Sequence, residues 1–125
     1  MKQLSQARLS VGERALLERF ALELRSQQNG ASKAVWLFGS RARKEDTGES
    51  SDVDVLVLTE DASWENKMRI HAALQTAAHA LGLEALTWSF SIHVNTPTWL
   101  EQRRRVHSFF VAEVDRDKIP LSGVV

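Results

Sequence analysis

Two short apolar runs in the first half of the chain constrain the fold most strongly. Residues 34–38 are continuously apolar and end at Gly39, which is typical of a buried strand. Residues 51–58 predict a second strand. Its valines point to one side of the sheet, whereas Asp52 and Asp54 point to the other. The polar segment between the runs therefore connects two strands, and both carboxylates lie on one sheet face.

The remaining elements can be placed by their local signals. Ser10 and Glu13 match a capping box, which predicts a helix that ends near residues 27–30. A second helix is predicted from about Ser63 to Gly82, and Thr96-Pro97 is expected to begin the last helical region. Strict alternation over residues 85–95 predicts a strand with one face in the core and one face open, and residues 119–121 are expected to close the chain as a hydrophobic turn.

This order of elements predicts an α+β fold with a small mixed β-sheet flanked by helices. The chain has 125 residues, a length that suits one domain. We therefore expect a single domain over residues 1–125, with an N-terminal helix in 1–29 and a core in 30–125. Little room is left for a second, acceptor-binding domain.

Composition excludes several classes of function. The 16 basic and 16 acidic residues give a formal net charge of zero, which argues against a protein that coats nucleic acid. The absence of cysteine excludes disulfides and thiolate metal sites. Neither a secretory signal nor an apolar run of membrane-spanning length is found, so we expect a cytoplasmic protein without a membrane partner.

The segment around Gly39 has the residues of a phosphate site. A glycine at the end of a strand allows the backbone to approach a ligand closely. If a short helix begins at Ser40, its amides favour an anion there, and Arg41 and Arg43 add positive charge. Asp52 and Asp54 offer the hard oxygen ligands that suit Mg²⁺, so the combination indicates metal-assisted phosphoryl or nucleotidyl transfer.

Other residues leave alternatives open. Arg41 and Arg43 contact either phosphate or only solvent, and His93 is either a base or ligand or a solvated side chain. The basic run Arg103–Arg105 is either a solvated face or a site for an acidic partner or nucleic acid. Trp64 and Trp99 belong either to the core or to a partner interface.

The residues from Phe38 to Arg43, followed by Ser51-Asp52-Val53-Asp54-Val55, resemble the minimal nucleotidyltransferase domains of the DNA polymerase β superfamily. A Gly-Ser pair, roughly ten residues and then Asp-x-Asp are their hallmark. The segment from Ser91 to Val94 with Thr96-Pro97 is similar to the third strand of that family, so the resemblance extends from about residue 30 to the C-terminus.

This resemblance implies the nucleotidyltransferase palm fold. It also implies that Gly39 and Ser40, with Arg43, bind the triphosphate and that Asp52 and Asp54 are the catalytic, Mg²⁺-binding pair, holding one or two ions. The reaction would transfer a nucleoside monophosphate, AMP from ATP, to an acceptor hydroxyl. Short members of this kind work beside a separate helical partner, including the antitoxins of HEPN/MNT toxin–antitoxin pairs.

The sequence departs from the family pattern in two places. Residues 41–51 form a spacer that is one residue longer than in most such antitoxins. The family's third carboxylate, on the third strand, is missing: the open-face positions are Thr87, Ser89, Ser91, His93 and Asn95, and alignment on Thr96-Pro97 places Ser91 or Ser89 in the slot. The chain is therefore a weak enzyme, an enzyme completed by a partner's side chain, or a protein that only binds its partner.

Overall fold

The computed structural model describes residues 4–27, 32–43 and 52–123. Within these ranges, two 3₁₀ helices span Leu4–Gln6 and Glu84–Ser89, and four strands form one sheet. The strands and α-helices, in chain order, are α1 Val11–Ser26, β1 Ser32–Phe38, α2 Ser40–Arg43, β2 Val53–Thr59, α3 Trp64–Leu81, β3 Phe90–Asn95, α4 Pro97–Arg105, α5 Phe109–Asp117 and β4 Ile119–Gly123.

The predicted helix boundaries have their expected chemical causes. The amide of Glu13 donates to Ser10 Oγ at 3.1 Å and the amide of Ser10 donates to Glu13 Oε1 at 2.8 Å, so the capping box of α1 is confirmed. Ser63 caps α3 by accepting from the amide of Asn66. Gly82 ends that helix with a φ of +68°, a left-handed conformation that glycine adopts without strain.

The sheet is mixed, as predicted, with the strand order β3-β2-β1-β4. β1 pairs antiparallel with β2 and with β4, whereas β2 and β3 are parallel. The prediction that the chain closes with a hydrophobic turn is wrong, because Ile119–Gly123 forms the edge strand β4 beside β1. The apolar segment recognised in the sequence, residues 119–121, is too short to show the alternation that identifies a strand.

Helices cover both faces of the sheet. On one face, α1 and α3 pack against the valines of β2 around the fully buried Phe20. On the other face, α4 and α5 cover a second cluster of buried residues: Ala34, Trp36, Phe38, Leu56, Leu58, Leu100, Val111 and Val114. Ser91, His93 and Asn95, on the side of β3 predicted to be open, are half-buried, and Phe110 of α5 packs against the His93 ring.

The strand predicted over residues 85–95 begins only at Phe90. Residues 84–89 form a 3₁₀ helix in which Thr87 Oγ1 donates to the carbonyl of Glu84 at 2.8 Å and Ser89 Oγ donates to that of Leu86 at 2.9 Å. These hydroxyls bond to backbone three residues earlier, in competition with a strand ladder. Trp88, which the alternation over residues 85–95 would place on the core face with Phe90, is consequently 91% exposed. From Phe90 onward the predicted parity holds, because Phe90 and Val94 are buried.

The N-terminal helix is part of the core. Leu16, Leu17 and Leu24 of α1 are buried in the first cluster, whereas Leu22 on the same helix is half exposed. The division into residues 1–29 and 30–125 stays a prediction. Within the described ranges, no helix has the length and apolar character needed to cross a membrane.

Candidate functional site

The bend after β1 brings the glycine of the Gly-Ser pair directly against an aspartate. Gly39 has a φ of +79°, and a Cβ atom built on it would lie 2.6 Å from Asp54 Oδ2. Phe38 and Asp54 are register partners in the antiparallel pair β1–β2, which explains the proximity. Glycine is required here both by its left-handed backbone and by the neighbouring carboxylate.

The chain then turns into the single helical turn α2. The amides of Ala42 and Arg43 donate to the carbonyl of Gly39 at 3.0 and 3.3 Å, so α2 starts immediately at the bend. Ser40 is half-buried and follows Gly39 directly. The structure thus brings together three of the predicted site residues: Gly39, Ser40 and Asp54.

The two aspartates lie at the start of β2, with Asp52 exposed and Asp54 half-buried. The pKa of Asp54 is raised to about 6, chiefly by burial and also by repulsion from Asp52 and Glu113, while the charge of Arg41 acts in the opposite direction. A nearby cation would therefore stabilise the ionised form of the Asp54 carboxyl group. The Asp54 side chain lies on the sheet face that α4 and α5 cover, beside Phe38 of the second apolar cluster.

Arg41 is held by the N-terminal segment. Its Nη1 atom donates to Glu13 Oε1 at 2.7 Å and to the carbonyl of Arg8 at 3.2 Å, while the amide of Arg8 donates to the carbonyl of Arg41 at 2.8 Å. The Glu13 carboxylate that completes the capping box of α1 thereby also fixes α2. Arg41 still acts on Asp54 through its charge.

Arg43 is held by the C-terminal helix. Its Nη1 atom donates to Asp117 Oδ2 at 2.6 Å. Asp117 is fully buried and also accepts a hydrogen bond from the Arg116 guanidinium. The Arg43 side chain is 24% exposed. Its assignment to the triphosphate stays a prediction; what the structure adds is an ion pair that ties the end of α2 to α5.

The third-strand slot is occupied by Ser91, which is the register partner of Asp54 in the parallel pair β2–β3. Ser89 and Thr87 precede the strand. Ser91 Oγ lies 3.3 Å from His93 Nε2, and the His93 ring packs 5.5 Å from Phe38 and 5.6 Å from Phe110 between ring centroids. Burial lowers the pKa of His93 and so favours the neutral imidazole.

Two of the three arginines in the basic run on α4 contact neighbouring side chains. Arg104 forms a two-point ion pair with Asp115, with distances of 2.9 and 2.6 Å, and its pKa is raised by that contact. The Arg103 guanidinium lies 5.5 Å above the Trp99 ring, and Trp99 itself packs against the second apolar cluster. Trp64, by contrast, is 74% exposed.

Glu113 was missed by the sequence analysis. It lies on α5, is half-buried, and its charge is one of the causes that raise the pKa of Asp54. The sequence did contain a signal, because Phe110, Glu113 and Asp117 recur at helical spacing in a predicted helix. No pattern on the third strand predicts an acid that lies on α5.

The residues fit a divalent cation by the chemistry of their donors. Asp52 and Asp54 offer oxygen ligands from one strand face, and their mutual repulsion would be relieved by positive charge. In the part of the chain that the structure describes, no group of three or more His, Asp or Glu side chains is close enough to hold a metal ion. A cation at this site would therefore be held by the Asp pair together with oxygens of a bound nucleotide.

A family model decides the classification. The model for polymerase β, nucleotidyltransferase, matches residues 23–92, more than half of the chain and including both halves of the motif. The chain belongs to this nucleotidyltransferase family. The sequence-based recognition and the palm-type α+β fold are thereby confirmed.

Solved structures share the fold. A chain in the crystal structure of a toxin–antitoxin complex with AMP-PNP is 19% identical and superposes with a TM-score of 0.51, covering 86% of this chain and 73% of that one. A chain in an MntA-HpeT toxin–antitoxin mutant, in which two aspartates two positions apart are replaced by glutamate, is 18% identical with the same TM-score and coverage. A search of curated proteins finds no match.

Proposed function

We propose that this nucleotidyltransferase transfers a nucleoside monophosphate, AMP from ATP, to a hydroxyl of a partner protein in a Mg²⁺-dependent reaction. Gly39 and Ser40, with Arg43, bind the triphosphate, and Asp52 and Asp54 hold the cation. The contact between Gly39 and Asp54 is the observation that carries this proposal, because it brings the phosphate-binding bend and the carboxylate pair into one site.

The proposed reaction forms one bond and breaks another at the α-phosphorus of the nucleotide. The oxygen of the acceptor hydroxyl attacks the α-phosphorus and releases its proton to water. The bond between the α-phosphorus and the oxygen that bridges to the β-phosphate breaks, and pyrophosphate leaves with the bonding electron pair. Bound Mg²⁺ supplies charge neutralisation for the triphosphate and the departing pyrophosphate. The bend at Gly39 admits the phosphates beside the carboxylates, and the anchors of α2 on Glu13 and Asp117 keep that bend in place.

The proposed setting is a toxin–antitoxin pair in the cytoplasm, with this chain as the antitoxin and a separate helical, HEPN-type protein as the acceptor. The support is the similarity of fold to chains from two toxin–antitoxin crystal structures, one containing the ATP analogue AMP-PNP and one altered at an aspartate pair. The zero net charge supports a protein acceptor over a long nucleic acid.

A second candidate function is partner binding without catalysis. It is favoured by one observation: Ser91, not an acid, lies beside Asp54 on β3. An acid at this position would accept the proton of the acceptor hydroxyl, and such a general base typically contributes about 10²–10⁴-fold to a rate. Its absence would leave nucleotide and partner binding intact while turnover falls.

Label transfer distinguishes the two functions. The chain is incubated with a candidate partner, Mg²⁺ and ATP labelled in the α-phosphate, alongside the variants Asp52→Asn and Glu18→Gln. The enzyme predicts labelled partner with the wild type and with Glu18→Gln, an exposed glutamate on α1 that controls for loss of one charge, and no labelled partner with Asp52→Asn. A stable complex with no label transferred by the wild type would establish the binding function instead.

A further inference from the structure

One side of α5 points toward the bend at Gly39. Phe110, Glu113 and Asp117 are three and four residues apart and therefore lie along the same side of the helix. Phe110 packs against the rings of Phe38 and His93, with centroids 5.5 and 5.6 Å away. Asp117, at the other end of this side, binds Arg43 at 2.6 Å.

The residues that Phe110 and Asp117 contact flank the Gly39-Ser40 bend in sequence. Phe38 immediately precedes Gly39, and Arg43 is the last residue of α2. Glu113 is positioned between the two anchors, so its carboxylate faces the bend and the start of β2.

Glu113 differs from the other acids of α5. Asp115 pairs with Arg104 and Lys118, and Asp117 pairs with Arg43 and Arg116. Glu113 has no hydrogen bond or ion pair with any residue in the described ranges. Its charge instead adds to those of Asp52 and Asp54, and such a concentration of like charge is favourable only when a cation is bound nearby.

We propose that Glu113 is the third acidic residue of the site, supplied by α5 in place of an acid on β3. The proposal rests on the proposed function and concerns how the divalent cation and the nucleotide are bound. Glu113 is a positioning residue: its negative charge, added to that of the Asp pair, increases the affinity for a cation that arrives with a nucleoside triphosphate.

Mn²⁺ binding in the presence of a non-hydrolysable ATP analogue tests this role. The fraction of bound Mn²⁺ is measured by electron paramagnetic resonance for the wild type, Glu113→Gln, Glu113→Asp and Glu18→Gln. We expect about tenfold weaker Mn²⁺ binding in Glu113→Gln, a size typical of residues that support metal ligands indirectly, and recovery of most of that loss in Glu113→Asp. Glu18→Gln removes an equal charge outside the site and should bind as the wild type does.

Thermal unfolding without cation separates this role from a structural one. Removal of a repelling charge should leave the unfolding temperature of Glu113→Gln equal to or above that of the wild type, whereas loss of a structural contact would lower it. Equal Mn²⁺ affinity in the wild type and Glu113→Gln would overturn the assignment of Glu113 and leave the proposed function intact. Failure of the wild type itself to bind Mn²⁺ with the analogue would overturn both.

Discussion

Gly39 and Asp54 lie so close that a methyl group on Gly39 would reach within 2.6 Å of Asp54 Oδ2. Gly39, in the proposed phosphate-binding bend, thus limits the space around the Asp54 carboxylate, a proposed ligand of the cation. The two halves of the motif are separate in sequence, and antiparallel pairing of β1 with β2 makes them one structural unit.

Gly39→Ala should therefore affect both stability and ligand binding. The left-handed backbone and the clash with Asp54 together predict a loss of about 2–3 kcal/mol in the free energy of unfolding, and displacement of Asp54 should abolish binding of nucleotide with Mg²⁺. Chemical denaturation and calorimetry measure the two effects.

Gly82→Ala is the matched control for this change. Gly82 also has a positive φ, +68°, but a Cβ atom there meets nothing within 4 Å. Only the backbone strain applies, so we expect a loss of about 1 kcal/mol with unchanged nucleotide binding. Equal behaviour of the two variants would show that the contact with Asp54 has no consequence.

The raised pKa of Asp54 predicts a specific dependence of stability on pH. Because the pKa is about 6 in the folded chain against an ordinary 3.8, the folded state retains a proton that the unfolded state has lost between about pH 4 and 6. The contribution of Asp54 to the free energy of unfolding therefore decreases as the pH rises through this window and stays low above it.

Asp54→Asn should remove this contribution. At pH 7 the variant should be more stable than the wild type by about 1–2 kcal/mol, since one pKa unit corresponds to ~1.4 kcal/mol and solvent screening reduces the full value. Denaturation curves from pH 4 to 7 provide the measurement. Asp61 serves as control, because a hydrogen bond from the Ser63 amide lowers its pKa and Asp61→Asn should instead destabilise the chain at pH 7. A wild type that is more stable than Asp54→Asn at pH 7 would contradict the account.

Two aspartates on α5 predict different costs for the same substitution. Asp117 is fully buried and holds Arg43, so Asp117→Asn should lower the free energy of unfolding by about 2–3 kcal/mol. Asp115, whose side chain is 36% exposed, pairs with Arg104, and Asp115→Asn should cost less than about 1 kcal/mol. Thermal melts of the two variants compare them directly, and a reversed order would refute the anchoring role of Asp117.

Ser91→Asp would introduce an acid at the third-strand position beside Asp54. Repulsion between neighbouring strands should lower stability by about 0.5–1 kcal/mol without cation, and Mg²⁺ with a nucleotide analogue should reverse that loss. Ser91→Asn is the control of similar size without charge. If both variants respond equally to Mg²⁺, the position beside Asp54 does not face the cation.

The parts of the fold that were predictable from sequence are those with local causes. Capping residues at Ser10 and Ser63, the glycine stop at Gly82 and the parity of β2 each act within a few residues, and all are found as predicted. The extent of β3 was not predictable by periodicity, because the hydroxyls of Thr87 and Ser89 bond to nearby carbonyls instead of extending the strand.

The same distinction applies to the site. The pairing of the Gly-Ser bend with the Asp pair follows from two adjacent strands, so the sequence motif indicated it. The partners of Arg41 and Arg43 are Glu13 and Asp117, 28 and 74 residues away in sequence, and no local pattern specifies contacts at that distance. Glu113 approaches Asp54 for the same reason, through the packing of α5 on the sheet.

Calorimetric titration with AMP-PNP and Mg²⁺ tests the central claim most directly, because it needs neither a partner nor turnover. The wild type should bind the analogue in a Mg²⁺-dependent manner, and Asp52→Asn, which changes an exposed side chain of the proposed pair, should weaken binding by tenfold or more, on the order of 1.4 kcal/mol. Absence of binding by the wild type, or equal affinity in Asp52→Asn, would contradict the assignment of this site.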